Sequence, residues 1–545
     1  MIKREIEKII KDCSGEDGKV EKPISEHGDY ASSVAFDIAK KEKRNPNQIA
    51  EELKDKIKSE LFEKVEVKGG FLNFFIAEDA LKKEISLILE QKEEYGRGNK
   101  EKTVVVDYSS PNIAKPFGIG HLRSTIIGQA IYNIYNFWGW KTIGVNHLGD
   151  WGTQYGKIIC QIKKENLDPE KLSIKELEAV YVRFHKEADE DPEIEKEGRE
   201  WFHKLERGDE EAVRMWEICR KKSIEEFNKI YQKLGVAIDH TTGESFYQDK
   251  IQAVIDEAVE KKVAVESEGA LVVHFQDMPS VIIQKSDEST TYLARDLSAV
   301  KYRLETFSPD LFIYEVGAEQ TLYMKQLFAT VEKLGWAKKE QFVHMAHGLF
   351  RLKDGKLSTR KGKTIHLEEV LSLAEEKAKK IIEDSLSSDL TEQEKEKISE
   401  TVAMGAVKYN GLKSHHRRDV VFDWDRVLAL KGDSGPYLQY TCVRCKRVLE
   451  KAGEGDFSET EKFNENERKL ALRLVEFKEV VEVAGETFSP NIIADYAHRL
   501  AKDFNLLYEG TKIVGSKKRI VLTKATKNVL TTSLSLLTVS LPDKM

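Results

Sequence analysis

The apolar run TVVVD (103–107) leads straight into SSPNIAKPFGIGHLRST (109–125), a corner with two prolines and two glycines that opens a helical pattern. Few architectures accept that order. A short buried strand, a tight glycine turn and a helix form the opening of a βαβ unit. Further short apolar segments, KTIGVNH (141–147), SVIIQK (280–285), LFIYEV (311–316) and QFVHMAH (341–347), are separated by helical stretches such as ARDLSAVKYRLETF (294–307). Alternating β and α elements predict a parallel sheet covered by helices. Residues 161–240 break the alternation; they are charge-rich and helical in pattern, and read as an insertion between two halves of the sheet.

A chain of 545 residues exceeds what one hydrophobic core organises. Residues 1–98 read as a small α+β domain, in which GDYASSVAFDIAKK (28–41) is a helix entered from a Gly-Asp turn. VEVKGGFLNFFI (65–76) is a strand interrupted at Gly69-Gly70. Residues 99–375 form the Rossmann-like parallel-sheet domain with its helical insertion. Beyond about 370 strand signals vanish, and Leu470, Leu474, Phe477 and Val481 recur at helical spacing, so 376–545 read as an all-α bundle. The fold class is multidomain α/β.

The start, MIKREIEKII, lacks the apolar core of a signal peptide, and no stretch approaches the roughly 18 to 20 apolar residues that span a bilayer. The five cysteines are scattered and odd in number, which points to a reducing, cytoplasmic setting without a disulfide framework or a membrane partner. A monomer is the default expectation. Cys442 and Cys445 make one CxxC without a second ligand pair nearby, so they read as helix packing rather than zinc ligands. The net charge of −7 says nothing for nucleic acid, but between Glu509 and Asp543 every charged residue is basic, including Lys512, Lys517, Lys518 and Arg519. That stretch suits a phosphate track, or a solvated helix face.

Two segments carry chemistry. At the 109–125 corner, helix-terminal N–H groups and the dipole favour an anion, and the glycines let a backbone approach closely. His121, in the first turn, can donate to a phosphate as charge builds; a structural cap is the plain alternative. Far downstream, KDGKLSTRKG (353–362) interleaves positive charges with Gly, Ser and Thr, as suits a loop closing over a triphosphate, though an exposed lysine-rich loop reads the same way. A third pair is acidic and aromatic: Tyr292 and Asp296, spaced i, i+4, share one helix face. Asp296 at a helix start and Glu244 in a turn have plainer readings as well.

GIGH (118–121) resembles the HIGH signature of class I aminoacyl-tRNA synthetases, and KLST (356–359) resembles their KMSK loop. SPNIAKP with HLRST, GDWGTQ (149–154), GESFY (243–247), TYLARDLSAVKYR (291–303) and VGAEQ (316–320) narrow the resemblance to the arginyl-tRNA synthetase family. The 28–41 segment and SGPYLQYTCVR (434–444) resemble that family's N-terminal and anticodon-binding domains, so the likeness covers nearly the whole chain. It implies ATP, L-arginine and tRNA(Arg) as substrates, with Mg2+ arriving on ATP and arginyl-adenylate as intermediate. It also implies that bound tRNA is required for activation. By the same resemblance His121, Lys356 and Lys115 are the catalytic residues, and Gly118, Gly120, His121, Lys356, Ser358 and Thr359 hold ATP. Asp296 and Glu244 hold the arginine guanidinium beneath Tyr292, while Asn112 and Gln320 fix its α-amino and carboxylate end. Tyr437, Tyr440, Asn505 and Tyr508, with Lys517, Lys518 and Arg519, are candidate tRNA contacts; any one tyrosine also fits a core position. One departure stands out: Gly118 replaces the first histidine of the signature. It favours one alternative, a catalytically weakened tRNA-binding paralogue; a class I synthetase for another amino acid is a second, independent alternative.

Overall fold

The structure is a computed structural model and describes residues 2–23, 27–287, 289–352, 366–385, 390–458 and 462–545. Its contacts divide the chain into two compact units. One comprises Met1–Arg97, Leu430–Leu536 and Ser540–Met545, the other Gly98–Ala429 and Leu537–Val539.

The second unit is built on a five-stranded sheet. Its strands are β1 (Thr103–Asp107), β2 (Lys141–Asn146), β3 (His240–Thr241), β4 (Leu311–Tyr314) and β5 (Phe342–His344), all parallel and ordered β3-β2-β1-β4-β5. Val104, Val105 and Val106 are at most 1% exposed, which explains why β1 reads as an unbroken apolar run: helices cover both faces. The order reverses between β1 and β4. At such a switch point the two neighbouring crossovers leave on opposite faces, and a crevice opens beyond the carboxyl ends of the strands. Helix α1 (Ile119–Phe137) follows β1. The insertion is four helices, of which the last, α2 (Glu210–Leu234), is the longest; the others are Thr153–Lys164, Ile174–Glu190 and Pro192–Glu206. Ser173 with Glu176, Asp191 before Pro192, and Asp209 cap them. Helices α3 (Tyr292–Phe307) and α4 (Thr321–Lys333) flank β4 in sequence.

Three expectations change. SVIIQK is not a strand of the parallel sheet; Val281–Gln284 is the edge of a separate antiparallel sheet with Ala264–Ser267 and Ala270–Val273. The fifth parallel strand is instead His240–Thr241, too short and polar to show an apolar pattern. Strands also continue beyond 370, since Val420–Phe422 pairs in parallel with Phe350–Leu352. The helix Leu367–Ser385, which straddles the expected boundary at 375/376, and Glu392–Leu412, grouped above with the C-terminal bundle, lie in the unit of the parallel sheet.

The first unit joins a four-stranded antiparallel sheet to the C-terminal helices Gly435–Lys451, Glu465–Val475, Phe477–Glu486, Pro490–Gly510 and Lys517–Leu536. The segment read as one interrupted strand is a hairpin: Phe62–Lys68 pairs with Phe71–Ile76, and Gly69 and Gly70 take the positive φ of 57° and 84° that a tight two-residue turn demands. Before the helix Val34–Glu42 comes a short strand, Tyr30–Ser32, so the Gly-Asp turn enters a strand first. Arg468 ties the two parts together through Asp29 at 2.7 Å.

Candidate active site

Just past β1, three non-glycine residues hold left-handed backbone: Ser109 (φ 74°), Ser110 (45°) and Ala114 (59°). Each such conformation costs about 1–3 kcal/mol and persists where surrounding contacts over-determine it, typically at functional sites. The contacts are present. The Ser109 N–H donates to Ser124 Oγ (3.0 Å), the Ser110 N–H to Asn146 Oδ1 (3.1 Å) and the Ala114 N–H to Ser223 Oγ (2.8 Å), while Ser109 Oγ lies 2.8 Å from the Tyr231 hydroxyl. Ser223 and Tyr231 belong to α2, so the insertion braces the corner.

Gly118 is the N-cap of α1, and its N–H donates to His121 Nδ1 at 3.2 Å. With Nδ1 accepting, the imidazole proton resides on Nε2. Burial first, then the nearby charges of His347 and Lys115, push the His121 pKa down to about 4. The ring that accepts from the N-cap therefore carries an N–H on its other nitrogen, and it is neutral at pH 7. Lys115 places its ammonium 4.7 Å from the Tyr181 ring centroid. Among the described residues, a Cβ added to Gly120 would meet no atom within 4 Å. Gly118 also forms an antiparallel bridge with His366. Lys356, Ser358 and Thr359 lie outside the described residues.

Beyond the carboxyl ends of β1 and β4 opens a cavity of about 410 Å³. Asn112, Glu244, Tyr292, Asp296 and Gln320, which the sequence reading scatters over some two hundred positions, all line it. So do Asp107, His147 and Tyr323, which that reading missed. Asp296 accepts from the Tyr323 hydroxyl, with His147 Nε2 3.5 Å away; burial outweighs both and raises its pKa. Glu244 is 8% exposed and 3.1 Å from Arg295, yet burial lifts its carboxyl to about 8. Asp107 pairs with Arg303 at 2.7 Å and accepts from Ser110 Oγ. Behind Glu244, the fully buried Asp150 accepts from the Ser245 N–H and hydroxyl at 2.8 Å and holds Arg220 at 2.9 Å. A Cβ on Gly243 would strike Asp150, and one on Gly149 would strike Asn112. Thus GDWGTQ and GESFY are two halves of one joint that aims Glu244 and Asn112. Tyr323 had no signal beyond lying three residues after Gln320.

In the other unit a cavity of about 510 Å³ is lined by Tyr440, Arg444, Arg447, Lys451, Tyr508 and Lys512, among others. The Arg444 guanidinium lies 4.8 Å from the Tyr440 ring centroid and 4.6 Å from that of Tyr508. Asn505 accepts from Arg444 (2.5 Å) and donates to the Tyr437 hydroxyl (2.8 Å) and Thr441 Oγ1 (3.1 Å), so Tyr437 and Asn505 stand one layer behind the rings. The basic stretch is not a continuous track. Lys518 is 4% exposed and bonded to the Lys462 carbonyl and Glu467, Arg519 also binds Glu467 (2.6 Å), and Lys517 pairs with Asp456 (2.9 Å). Glu467 is wholly buried, so these cations neutralise it inside the domain. Cys442 and Cys445 are buried on the same helix, and burial pushes the Cys442 thiol up to about 12. Among the described residues no group of three or more His, Cys, Asp or Glu side chains is placed to hold a metal ion, and no helix is long and apolar enough to cross a membrane.

A switch-point crevice, a glycine corner carrying the second histidine of the signature, and a helical insertion between β2 and β3 define a class I aminoacyl-tRNA synthetase catalytic domain. Residues 84–424 match the family model described as the catalytic domain of class I tRNA synthetases (R), residues 438–545 the DALR anticodon binding domain, and residues 1–76 the arginyl tRNA synthetase N-terminal domain. The arginine–tRNA ligase of Clostridium botulinum (strain 657 / Type Ba4) is 41% identical over 538 residues, covering 96% of this chain and 95% of that one. A crystal structure of the Plasmodium falciparum arginyl-tRNA synthetase superposes with a TM-score of 0.84 at 25% identity, covering 100% of this chain and 99% of the other. The Thermus thermophilus arginyl-tRNA synthetase gives 0.85 at 24% identity, covering all of both chains. The chain belongs to the arginyl-tRNA synthetase family.

Proposed function

We propose that the protein activates L-arginine with ATP and esterifies it to the 3′ end of tRNA(Arg), acting in the cytoplasm as a monomer. The observation that carries this reading is the acidic cavity at the β1/β4 switch point, where Glu244 and Asp296 face the same space as Asn112, Tyr292 and Gln320. Two carboxylates opposite a ring suit a planar guanidinium, which binds carboxylates in forked pairs and stacks on aromatic faces. Asn112 and Gln320, at the exposed ends of the cavity, meet the α-amino and carboxylate groups.

One arginine carboxylate oxygen attacks the ATP α-phosphorus, the bond to the β-phosphate bridging oxygen breaks, and diphosphate leaves. The terminal ribose hydroxyl of tRNA then attacks the carbonyl carbon and AMP departs. His121 donates from Nε2 to the α-phosphate as a neutral group, and Lys115 adds positive charge on the same side. Gly118 and Gly120 give the phosphates room against the helix N-terminus. Lys356, Ser358 and Thr359 close over the β- and γ-phosphates; the pairing of His366 with Gly118 supports this, because it brings the chain back to the corner where that loop ends. Mg2+ enters on the phosphate oxygens. With the first signature histidine absent, the second and the lysine loop carry the charge stabilisation.

Tyr440 and Tyr508 stack on unpaired anticodon-loop bases, with Arg444 between them and Asn505 and Tyr437 holding it, since aromatic and guanidinium planes are how single-stranded RNA is read. Pyrophosphate exchange with each amino acid, with and without tRNA(Arg), tests the whole reading. Arginine alone is expected to support exchange, and only with tRNA present; exchange with a different amino acid would overturn it.

A further inference from the structure

Three carboxylates face the arginine cavity, and they do not stand alike. Asp107 carries Arg303 at 2.7 Å and Glu244 carries Arg295 at 3.1 Å, whereas Asp296, among the described residues, is bonded to the Tyr323 phenol and lies beside the His147 imidazole, with Arg303 acting on it from farther off. The cavity is therefore built from three acids and two of the protein's own guanidiniums. With all three ionised, as an incoming cation favours, the acids exceed the two guanidiniums by one negative charge, which matches one monocation.

Arg295 is the less anchored of the two guanidiniums. It is 8% exposed and its charge rests on Glu244 Oε2 and, at 5.3 Å, the Tyr292 ring, whereas Arg303 is 1% exposed and holds both Asp107 and the Tyr314 hydroxyl. Both neighbours of Arg295 are residues assigned above to the substrate. Two roles follow, of opposite sign: a competitor seated where the substrate guanidinium belongs, or a counter-ion acting on Glu244 from outside. The geometry favours the second. Arg295 does not line the cavity, and it takes only Oε2, leaving Oε1 without a hydrogen-bond partner among the described residues. We propose that Arg295 is a positioning residue that fixes the charge and aim of Glu244, so that the cavity selects a guanidinium over its neutral urea isostere. This rests on the reading of the cavity as the arginine site.

The physical need for it is clear from what surrounds Glu244. Asp296 on α3 and Asp150 in the turn after β2 both oppose its ionisation, the latter already paired with Arg220; the phenols of Tyr155 and Tyr323 also face it, and Arg295 is the cation that lowers its pKa. Burial already lifts the carboxyl to about 8 with Arg295 in place. At that value the carboxyl ionises at neutral pH only when a further cation, the substrate guanidinium, lies against it; Arg295 lowers the cost of that ionisation, and without it the group stays a neutral acid that attracts a urea about as well as a cation.

The test is tRNA(Arg) charging by the full-length protein and its Arg295→Met and Arg295→Lys variants across neutral to alkaline pH, with L-citrulline as competitive inhibitor. Arg295→Met is expected to raise the KM for arginine by about 30-fold or more at pH 7, the lower end for truncating one partner of a buried charge pair at a binding site. The ATP KM changes little, the arginine defect shrinks as pH rises, and citrulline gains on arginine as a ligand. Arg295→Lys, which keeps the charge, retains the wild-type pH profile and citrulline rejection; it carries the test if the Met variant fails to fold. A fall in KM would make Arg295 a competitor, and an unchanged pH profile in Arg295→Met, or lost citrulline rejection in Arg295→Lys, would end the proposal. Wild-type protein that fails to charge tRNA with arginine would sink the reading of the site itself, whereas normal wild-type charging with indistinguishable variants sinks only the role of Arg295.

Discussion

Arg303 Nη1 stands 2.7 Å from Asp107 Oδ2, joining the middle of α3 to the carboxyl end of β1 beneath the cavity. Arg303 is 1% exposed and its charge is further steadied by the Tyr314 ring, 5.8 Å away. Replacing both ions with apolar groups can be tolerated, but removing one leaves the other buried and unpaired, at a cost of about 3–5 kcal/mol. Arg303→Met is therefore expected to lower the midpoint of denaturant unfolding strongly, and Arg303→Met with Asp107→Leu to recover much of it. Equal destabilisation in single and double variants would show that the pair is not the source.

His121 accepts from the N-cap of α1 and, in the function proposed above, donates to the ATP α-phosphate. His121→Ala removes one stabilising donor and is expected to slow pyrophosphate exchange by about 10²–10³-fold, with tRNA affinity unchanged. Its pH behaviour follows from burial. The folded-state pKa, about 4, lies below the ordinary 6.5, so the unfolded chain binds the extra proton first. This site's contribution to stability is complete above pH 6.5 and is lost as pH falls toward 4. Nuclear magnetic resonance titration of the His121 ring is expected to show no protonation down to about pH 5, by the same shift.

Much of this site was legible in the sequence because its parts are punctuated. The corner at 109–125 is announced by prolines and glycines, and α3 by the i, i+4 pair Tyr292 and Asp296. What could not be read is what lies behind those residues. Asp150, Arg295, Arg303 and Tyr323 act across the fold, and no local period marks a side chain whose partner is fifty or two hundred positions away. The fifth strand was hidden for a related reason: two residues, His240 and Thr241, earn their place by pairing with Val145 and Asn146, not by apolar character. The basic C-terminal stretch misled in the other direction, since Lys518 and Arg519 look solvated in sequence while Glu467, fifty positions earlier, draws them inward.

That distinction separates two cationic residues in the helical unit. Lys518→Met leaves the wholly buried Glu467 with one cation fewer, so the thermal midpoint is expected to fall while the KM for tRNA moves little. Arg444→Ala removes the plane between Tyr440 and Tyr508, and tRNA affinity is expected to fall about 5- to 150-fold, the equivalent of roughly 1–3 kcal/mol for one stacked base. Filter binding and thermal melts on both variants give the answer; the opposite assignment of defects would remove the 510 Å³ cavity from the RNA surface.

Gly120 separates the phosphate reading of the corner from the purely structural one. It lies in the first turn of α1, its backbone is helical, and an added Cβ would touch no atom of the described residues within 4 Å. Nothing among the described residues therefore requires glycine there. In helices alanine is better than glycine by up to about 1 kcal/mol, so Gly120→Ala is expected to leave the thermal midpoint unchanged or raise it. If the open space is where ATP phosphates approach the helix N-terminus, the same methyl group obstructs them, and the KM for ATP in pyrophosphate exchange rises while the KM for tRNA does not. A variant that is stabler and still takes ATP normally would show that the glycine serves no ligand, and the corner would then be a cap alone.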